Sequence, residues 1–396
     1  MAKQRRILIF APFFPPHIGG LETHVYEFSK HLGERGHKVT VFTPNIPKTR
    51  EIEEPGKNLL VIRYPAIMFF SASQNAIPAF WSPGFWRLLN LAGKGNPEFV
   101  MSRTRFFFSS FLALLYAKAT RKKYIHVEHG SAFVDMNNKA ISFLSWAYDK
   151  TLGKLIFRGA DKVVPISHAV RRFIQREFLD KGLEVIYRGI ELDEIRKIPE
   201  NKPFRKKYEK YTRLCVLGRL TKNKGIDVAI ETFRILPKKQ KEKSLLFIIG
   251  DGPDRGKLEA LASGEKNIIF TGPMKRQEAI GTLKAMDIFL NPATSSGGLS
   301  TSLLEGMFLG LPVISTKFEG GGDVVFNGKN GLMVQASSNE ELMDAIIKLM
   351  GNKALGKRLG KAASRYVYEN FKWERVIDKY EGVFEELDQR NFAQIR

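Results

Sequence analysis

The stretch ILIFAPFFPPHIGG, residues 7–20, combines the pattern of a buried strand with a proline-bearing loop and two glycines. Residues 21–35 follow as LETHVYEFSKHLGER, in which apolar side chains recur at the three- and four-residue spacing of an amphipathic helix. Gly36 ends that helix, and HKVTVFT at 37–43 has the composition of a second strand. This order predicts a parallel βαβ unit and therefore a doubly wound α/β sheet.

The same alternation continues along the chain and restarts once, after a polar stretch from Glu191 to Arg213 that we take as a linker. The predicted strands are 6–11, 37–43, 59–64, 98–102, 124–128, 161–166, 214–217, 244–250, 268–270, 288–291 and 312–316. The predicted helices are 21–35, 106–120, 140–157, 224–236, 303–309, 340–349 and 353–370, and Ser167 is placed to cap a further helix. We therefore expect two Rossmann-like domains, 1–190 and 191–370, facing across a cleft at the carboxyl ends of their strands.

Charge and cysteine content limit the classes of protein that fit. The 396 residues carry a net charge of +22, and residues 1–190 hold 28 Lys and Arg against 14 Asp and Glu. This excess favours an anionic partner, and it leaves nucleic acid, acidic lipid, phosphorylated substrates and a plain lysine-rich surface open. The lone Cys215 excludes an internal disulfide framework and fits the reducing cytoplasm. We find no apolar stretch near the ~18 residues of a spanning helix and no signal peptide.

One segment, Ala66 to Trp86, is rich in aromatic residues but lacks the period of a helix or a strand. It is either a long loop packed on the core or an aromatic surface that meets a membrane or an apolar acceptor.

Glycines and cations mark candidate anion sites. Gly19 and Gly20 precede the first helix, where backbone amides and the helix dipole favour a negative charge, although glycines also simply form turns. Arg219 and Lys224 follow a predicted strand in GRLTKNKG, 218–225, and can converge on one diphosphate, unless they are only solvated surface cations.

The loop from Ser295 into the next helix is a third candidate. Its Gly-Gly pair and the following Ser300 and Thr301 have the character of a phosphate nest. Glu305 is placed to accept hydrogen bonds from ribose hydroxyls. It is equally placed to close a capping box with Ser302 on its own helix.

Several motifs in a fixed order resemble one family. They are FPPHIGGLETHVYEFSKHLGERGHKVTVFTP (14–44), VEHG (127–130), ADKVVPISHAVRRF (160–173), GRLTKNKGID (218–227), IIGDGP (248–253), FTGPM (270–274), AMDIFLNPATSSGGLSTSLLEGMFLGLPVIS (285–315) and NGKNGLMV (327–334). Over nearly the whole chain, the sequence looks like the retaining GT-B glycosyltransferases of group 1, or family four. The resemblance implies that a terminal helix, ~371–396, crosses back to the first domain.

The resemblance also implies a role for each candidate. Gly19 and Gly20 would border the donor phosphate and the acceptor, and His129 would contact the donor sugar. Arg219 and Lys224 would hold the diphosphate, with cations in place of a metal ion, since the chain has no Asp-x-Asp motif and no cofactor is implied. The loop and helix residues would contact the nucleotide: Gly272 and Met274 the base, Gly298, Ser300 and Thr301 the β-phosphate, and Glu305 the ribose.

The sequence departs from the family pattern at two places. The family has a sugar-contacting glutamate eight residues before the position of Glu305, where this chain has Gly297. Arg188 stands within YRGIE, 187–191, where the family usually has Asn-Gly-hydrophobic-Asp. The first change removes a carboxylate and the second adds a cation.

Taken together, the sequence predicts transfer of a sugar from a nucleoside diphosphate sugar to the hydroxyl of a lipid-linked glycan, polysaccharide or glycolipid, with retention of configuration. We expect a cytoplasmic protein that can sit peripherally on an anionic membrane surface. A glycosyltransferase-like partner or regulator without turnover is one alternative, motivated by Gly297. A nucleic-acid-binding protein is another, motivated by the +22 charge, but the sequence has no nucleic-acid motif and we expect no such partner.

Overall fold

The computed structural model describes residues 3–17, 20–69, 75–133, 139–179, 182–294, 299–318 and 320–394. The chain divides into two compact units, one of Met1–Gly189 with Trp373–Arg396 and one of Ile190–Lys372. Each unit is built on its own twisted parallel sheet, as the alternation of strand and helix patterns requires.

The first unit contains nine strands within the described residues: β1 (Arg6–Phe10), β2 (Lys38–Pro44), β3 (Ile52–Gly56), β4 (Leu59–Tyr64), β5 (Ala66–Phe69), β6 (Asn75–Pro78), β7 (Phe99–Arg103), β8 (Lys123–Glu128) and β9 (Lys162–Pro165). Seven of them form one sheet in the order β3-β4-β2-β1-β7-β8-β9, and β5 and β6 pair separately as a hairpin. All neighbours in the sheet are parallel except β3, which runs antiparallel to β4. The helices are α1 (Gly20–Glu34), α2 (Pro83–Lys94), α3 (Phe108–Ala119), α4 (Lys139–Tyr148), α5 (Lys154–Gly159) and α6 (His168–Glu177), with a π-helical turn at Asp149–Gly153 between α4 and α5.

Alternation along the central strand gives this sheet a core on each face. Ile7 and Ile9 point into one core and Leu8 and Phe10 into the other, because successive side chains of a strand leave on opposite sides. The first core is closed by α1, α6 and the C-terminal helix that begins at Trp373, and the second by α2, α3 and α5. The strand is therefore buried on both faces, which explains its unbroken apolar run.

The second unit has a sheet of six parallel strands among the described residues, in the order β12-β11-β10-β13-β14-β15. Its strands are β10 (Thr212–Leu217), β11 (Ser244–Ile249), β12 (Ile268–Gly272), β13 (Ile288–Asn291), β14 (Val313–Ser315) and β15 (Leu332–Met333). Its helices are α7 (Leu192–Lys197), α8 (Lys202–Lys207), α9 (Ile226–Ile235), α10 (Lys238–Lys241), α11 (Arg255–Leu261), α12 (Arg276–Lys284), α13 (Thr301–Phe308), α14 (Gly321–Val324), α15 (Asn339–Gly351) and α16 (Lys353–Phe371).

The last helix, α17 (Trp373–Gln394), belongs to the first unit. Its Tyr380 ring lies 4.7 Å from the ring of Phe28 on α1, and its Glu381 lies 3.0 Å from the Nε2 of His37. These contacts join residues more than 300 positions apart. Apolar packing against α1 and a partly buried hydrogen bond to His37, just before β2, thus hold the last helix in the first unit.

The strand order predicts a ligand position at the carboxyl ends of the central strands of each sheet. In the first sheet the order reverses between β1 and β7, and in the second between β10 and β13. In open α/β sheets, ligands bind at the carboxyl ends of the strands next to such a reversal, because the loops there diverge and leave a crevice. The loops that follow these four strands carry most of the predicted site residues.

Several sequence predictions differ from the structure. The linker stretch folds into α7 and α8, and the described parts of the aromatic segment are not a long loop, because they form the paired strands β5 and β6 and the start of α2. The helix predicted at 224–236 begins only at Ile226, after a 3₁₀ turn at Lys222–Lys224. Ser167 caps α6 as predicted, since its Oγ accepts from the Val170 amide at 3.1 Å.

Candidate functional site

The carboxyl ends of β10, β11 and β12 form a rim of closely packed backbone. Gly218 donates to the Ile249 carbonyl at 3.0 Å, and Gly250 donates to the Gly272 carbonyl at 3.1 Å. Gly250 has φ +133°, and a Cβ there would lie 2.0 Å from the oxygen of Gly218. Glycine at this position is therefore a steric requirement for bringing the strand ends together.

The 3₁₀ turn after β10 brings Lys224 back over the strand end. Its Cε and Nζ lie 3.7 and 3.9 Å from the position of a Cβ on Gly218, and Arg219 next to that glycine is exposed. The Lys224 ammonium therefore lies beside the glycine that precedes Arg219, so both predicted diphosphate-binding residues belong to the same strand end. A forked guanidinium and an ammonium at one strand end can receive the oxygens of a diphosphate.

The loop after β13 is fixed against this turn. The Thr294 amide donates to the Asn223 carbonyl at 3.0 Å. Gly225, at φ +64°, packs so tightly on the same loop that a Cβ would lie 1.9 Å from the Pro292 oxygen. The turn that holds Lys224 and the described part of the loop after β13, as far as Thr294, are therefore packed together as one structural unit.

The N-terminus of α13 is capped by Ser300, whose Oγ accepts from the Leu303 amide at 3.4 Å. Thr301 is the first residue of the helix, so Glu305 is the fifth and not the third. A capping box of Ser302 and Glu305 is therefore not formed. The carboxylate of Glu305 is buried and lies 2.7 Å from Nη1 of Arg276.

Arg276 was missed by sequence reasoning, because a single arginine after a loop carries no pattern. It is the first residue of α12 and follows the loop of Gly272 and Met274. Gly272 ends β12, and Met274 is half-buried in that loop. The ion pair with Glu305 therefore links the residues predicted to contact the base with the residue predicted to contact the ribose.

In the first unit, the ends of β7 and β8 carry buried ionised groups. Arg105 donates from its backbone to Glu128 Oε2 at 2.9 Å, and its guanidinium lies 3.2 Å from Glu128 Oε1 and 2.9 Å from Asp149 Oδ2. Burial alone would raise the pKa of Glu128, but Arg105 and a hydrogen bond from His126 lower it to about 2. Burial raises the pKa of Asp149 to about 6 against the opposing effect of Arg105.

His129 follows β8, and its imidazole is held neutral. Burial and the charge of Arg103 lower its pKa to about 3, and Arg188 acts in the same direction. Its Nε2 is buried without a hydrogen-bond partner among the described residues. A neutral imidazole can exchange a hydrogen bond with a sugar hydroxyl, but at physiological pH it cannot act as a cation.

A second histidine, His24 on α1, lies beside His129 with ring centres 5.1 Å apart. It stacks on Trp373 of α17, with centres 5.5 Å apart. Burial, His129 and Arg103 lower the pKa of His24 well below its ordinary value. This histidine was not predicted, although its place four residues after Gly20 puts it on the first turns of the helix that follows the glycine pair.

Some predicted residues cannot be placed. Gly19, Gly298 and Gly297 lie outside the described residues, and of Gly20 the structure gives only its position as the first residue of α1. Across the part of the chain that is described, no group of three or more His, Cys, Asp or Glu side chains is arranged to hold a metal ion. Likewise, no helix in these residues is long and apolar enough to cross a membrane.

Two family models match the chain, one on each unit. The model described as glycosyl transferases group 1 matches residues 197–366, and the model described as glycosyltransferase family 4 matches residues 18–194. An uncharacterised glycosyltransferase of Methanocaldococcus jannaschii is 42% identical over 96% of this chain and 98% of its own length.

More distant similarities cover the chain just as fully. A GDP-mannose-dependent α-(1-6)-phosphatidylinositol monomannoside mannosyltransferase of Mycobacterium tuberculosis is 25% identical over 94% of this chain and 96% of its own length. The crystal structure of Anabaena HepE in complex with UDP superposes with a TM-score of 0.72 at 16% identity, over 96% of this chain and 100% of that one. These similarities bear out the predicted fold class, an α/β chain of the GT-B type with two Rossmann-like sheets.

Proposed function

Because the chain belongs to the group 1 glycosyltransferases, also called family four, we propose that it transfers a sugar from a nucleoside diphosphate sugar to an acceptor hydroxyl. The transfer retains the anomeric configuration and uses no metal ion. The acceptor is a lipid-linked glycan, a glycolipid or a polysaccharide. The mannosyltransferase relative supports this class, since its name gives a phosphatidylinositol glycolipid as its substrate.

The observation that carries the proposal is the loop pair at the β10–β13 reversal. Arg219 and Lys224 lie at one strand end, and the Thr294–Asn223 hydrogen bond holds that end against the loop leading to α13. When the bond between the anomeric carbon and the diphosphate breaks, negative charge grows on the departing oxygen. Cations already fixed in position stabilise that charge without reorganising, which lowers the barrier.

The other side chains bind and orient the donor substrate. In this proposal the ribose hydroxyls donate to Glu305, which Arg276 holds in place at 2.7 Å. The neutral His129 exchanges a hydrogen bond with a hydroxyl of the transferred sugar. The diphosphate leaves with the electron pair of the broken bond, the acceptor oxygen forms the new bond to the anomeric carbon on the same face, and the proton of the acceptor hydroxyl passes to the departing diphosphate oxygen.

Arg219→Ala and Lys224→Ala test the proposed diphosphate site. Each should lower kcat/KM by the equivalent of about 2–4 kcal/mol, the usual cost of a lost transition-state donor, with the melting temperature unchanged. The matched control is Lys222→Ala, because Lys222 is an exposed lysine of the same 3₁₀ turn. Near-normal kcat/KM in both variants, or an equal loss in the control, would refute the assigned diphosphate site. Activity that disappears in EDTA and returns with Mg²⁺ would refute metal independence.

A protein without turnover is the second candidate, and Gly297 is the observation that favours it. The glycine leaves no carboxylate for a donor-sugar hydroxyl, and a buried hydroxyl left without a partner costs about 1–3 kcal/mol. We expect Gly297→Glu to improve transfer from an ordinary hexose donor and to impair transfer from a donor modified at the facing position. If purified protein hydrolyses no donor in a panel of nucleoside diphosphate sugars, yet binds the nucleotide, the second candidate replaces the first.

A further inference from the structure

The helices that cover one face of the first sheet present apolar side chains to solvent. These helices are α2, α3 and α5, and together with α4, which precedes α5 in the chain, they are called here the outer helix face. Its exposed apolar residues, together with Trp81 just before α2, are Trp81 at 70%, Trp86 at 52%, Leu115 at 50%, Phe143 at 63%, Leu144 at 62%, Trp146 at 43% and Leu155 at 52% exposure. A cluster of this kind costs free energy in water and marks an interaction surface.

Helices α2, α3 and α5 pack side by side, and α4 is joined to α5 along the chain. The Tyr116 hydroxyl of α3 lies 2.7 Å from the position of a Cβ on Gly93 of α2, and Leu114 of α3 packs on Gly159 of α5. The π-helical turn Asp149–Gly153 joins α5 to α4 directly. In the second unit, by contrast, the exposed large apolar side chains of the described residues are the separated Tyr211, Ile235 and Phe326.

Charge on the outer helix face has one sign. In the sequences of these helices and the π-helical turn, the single acidic residue is Asp149, which is buried 2.9 Å from Arg105. The basic residues are Arg87, Lys94, Lys118, Lys139, Lys150, Lys154 and Arg158. Glu51 and Glu177, from neighbouring elements, pair with Arg87 and Lys150, so the complementarity rests mainly on Lys94, Lys118, Lys154 and Arg158.

The opposite face of the same sheet has a different composition. Two of its covering helices, α1 and α17, are rich in carboxylates, whereas α6 carries Arg171, Arg172 and Arg176. Helices with basic residues and no exposed acid of their own are therefore a feature of the outer helix face that α1 and α17 do not share. Aromatic and aliphatic side chains among cations, on helices that expose no acidic residue of their own, fit the interface of an anionic bilayer.

We propose that the outer helix face docks on an anionic lipid bilayer, with its apolar side chains in the headgroup region and its cations on the lipid phosphates. This deepens the proposed function, because an enzyme that uses a lipid-linked acceptor must reach the membrane surface. No helix of the described residues can span a bilayer, so the contact lies in the interface plane. The surface includes Trp81 and Trp86 of the aromatic segment 66–86 and extends beyond it to α3, α4 and α5.

The test is flotation of the full chain with vesicles of phosphatidylcholine alone or mixed with phosphatidylglycerol. The parent should bind the anionic vesicles, and added salt should weaken the binding. Phe143→Ser with Trp146→Ser, and separately Lys154→Glu with Arg158→Glu, should each reduce the bound fraction about tenfold or more. The matched controls in the second unit, Ile235→Ser at an exposed apolar position and Lys238→Glu with Lys239→Glu at exposed lysines, should leave it unchanged.

Equal binding to neutral and anionic vesicles, or equal losses in the controls, would overturn the docking surface. So would a parent that binds no vesicle but dissociates from a dimer to a monomer in the Phe143→Ser, Trp146→Ser variant, because the face would then contact a second copy. Nucleoside diphosphate binding in membrane-free solution separates the two proposals. If the nucleotide binds and vesicles do not, only the docking surface fails; if vesicles bind and the nucleotide does not, only the donor site fails.

Discussion

The carboxyl ends of the two sheets are built by different means. In the first unit they hold buried charges, with Arg105 between Glu128 and Asp149 and neutral His129 beside them. In the second unit they are glycines, and Gly250 sits where a Cβ would meet the backbone of Gly218. The first arrangement fixes side chains through ion pairs, and the second brings backbone amides and the cations Arg219 and Lys224 to a ligand position.

The difference predicts where each unit is vulnerable. Removing one member of a buried ion pair leaves an uncompensated charge, whereas adding a single carbon to the glycine rim forces strand ends apart. The chain offers a separate probe for each unit. All four tryptophans, at 81, 86, 146 and 373, lie in the first unit, and the lone Cys215 is buried in the second.

The largest expected loss of stability is in the first unit. Arg105→Met leaves the buried carboxylates of Glu128 and Asp149 without their cation, so the free energy of unfolding should fall by about 3–5 kcal/mol. Tryptophan fluorescence in urea measures it. The matched control, Arg87→Met, breaks the exposed pair with Glu51 at 2.7 Å and should cost under about 1 kcal/mol. Equal losses in the two variants would mean that the buried network does not fix this strand end.

The next largest expected loss of stability is in the second unit. Gly250→Ala places a Cβ 2.0 Å from the Gly218 oxygen at φ +133°, and the strain should destabilise the unit by about 1–3 kcal/mol or more. The reactivity of Cys215 towards a thiol reagent in denaturant reports it. Gly256→Ala on α11 is the control, because a Cβ there meets nothing within 4 Å and should be neutral or slightly stabilising. A Gly250→Ala protein as stable as the control would contradict the close approach.

The smallest expected effect is a pH dependence of the free energy of unfolding that comes from the histidines. All seven histidines of the chain lie in the first unit. Folded His129 has a pKa of about 3, so below its unfolded value, ~6.5, the unfolded chain binds the extra proton. Stability is therefore complete above that value and falls as the pH drops towards 3. For each such histidine, the free energy of unfolding should fall by about 1 kcal/mol between pH 6.5 and 5.5.

His24→Phe checks the sign of this dependence. Phenylalanine keeps an aromatic ring against Trp373 but cannot take up a proton. Urea unfolding followed by tryptophan fluorescence at pH 5.5 and 6.5 should therefore show a smaller loss than in the parent. An unchanged or steeper loss would show that His24 is protonated in the folded protein.

The sequence by itself was sufficient for the α/β fold class and for most of the elements. The strands around Ile7–Phe10 and Leu59–Tyr64 were predictable because buried parallel strands need unbroken apolar runs, whatever surrounds them. Ser167 was predictable as a cap because the signal is local to its own helix. The motifs also sufficed to identify the family, which the comparisons confirm.

Other features depend on residues that are distant along the chain, and only the tertiary structure decided them. Arg276 pairs with Glu305, 29 positions away, and Arg105 with Asp149, 44 positions away, so no local pattern announces either contact. The same holds for the outer helix face, because α2, α3 and α5 become one surface only by packing on a shared sheet. Local periodicity determines which side of a helix is apolar, but long-range packing decides which apolar side chains remain in water.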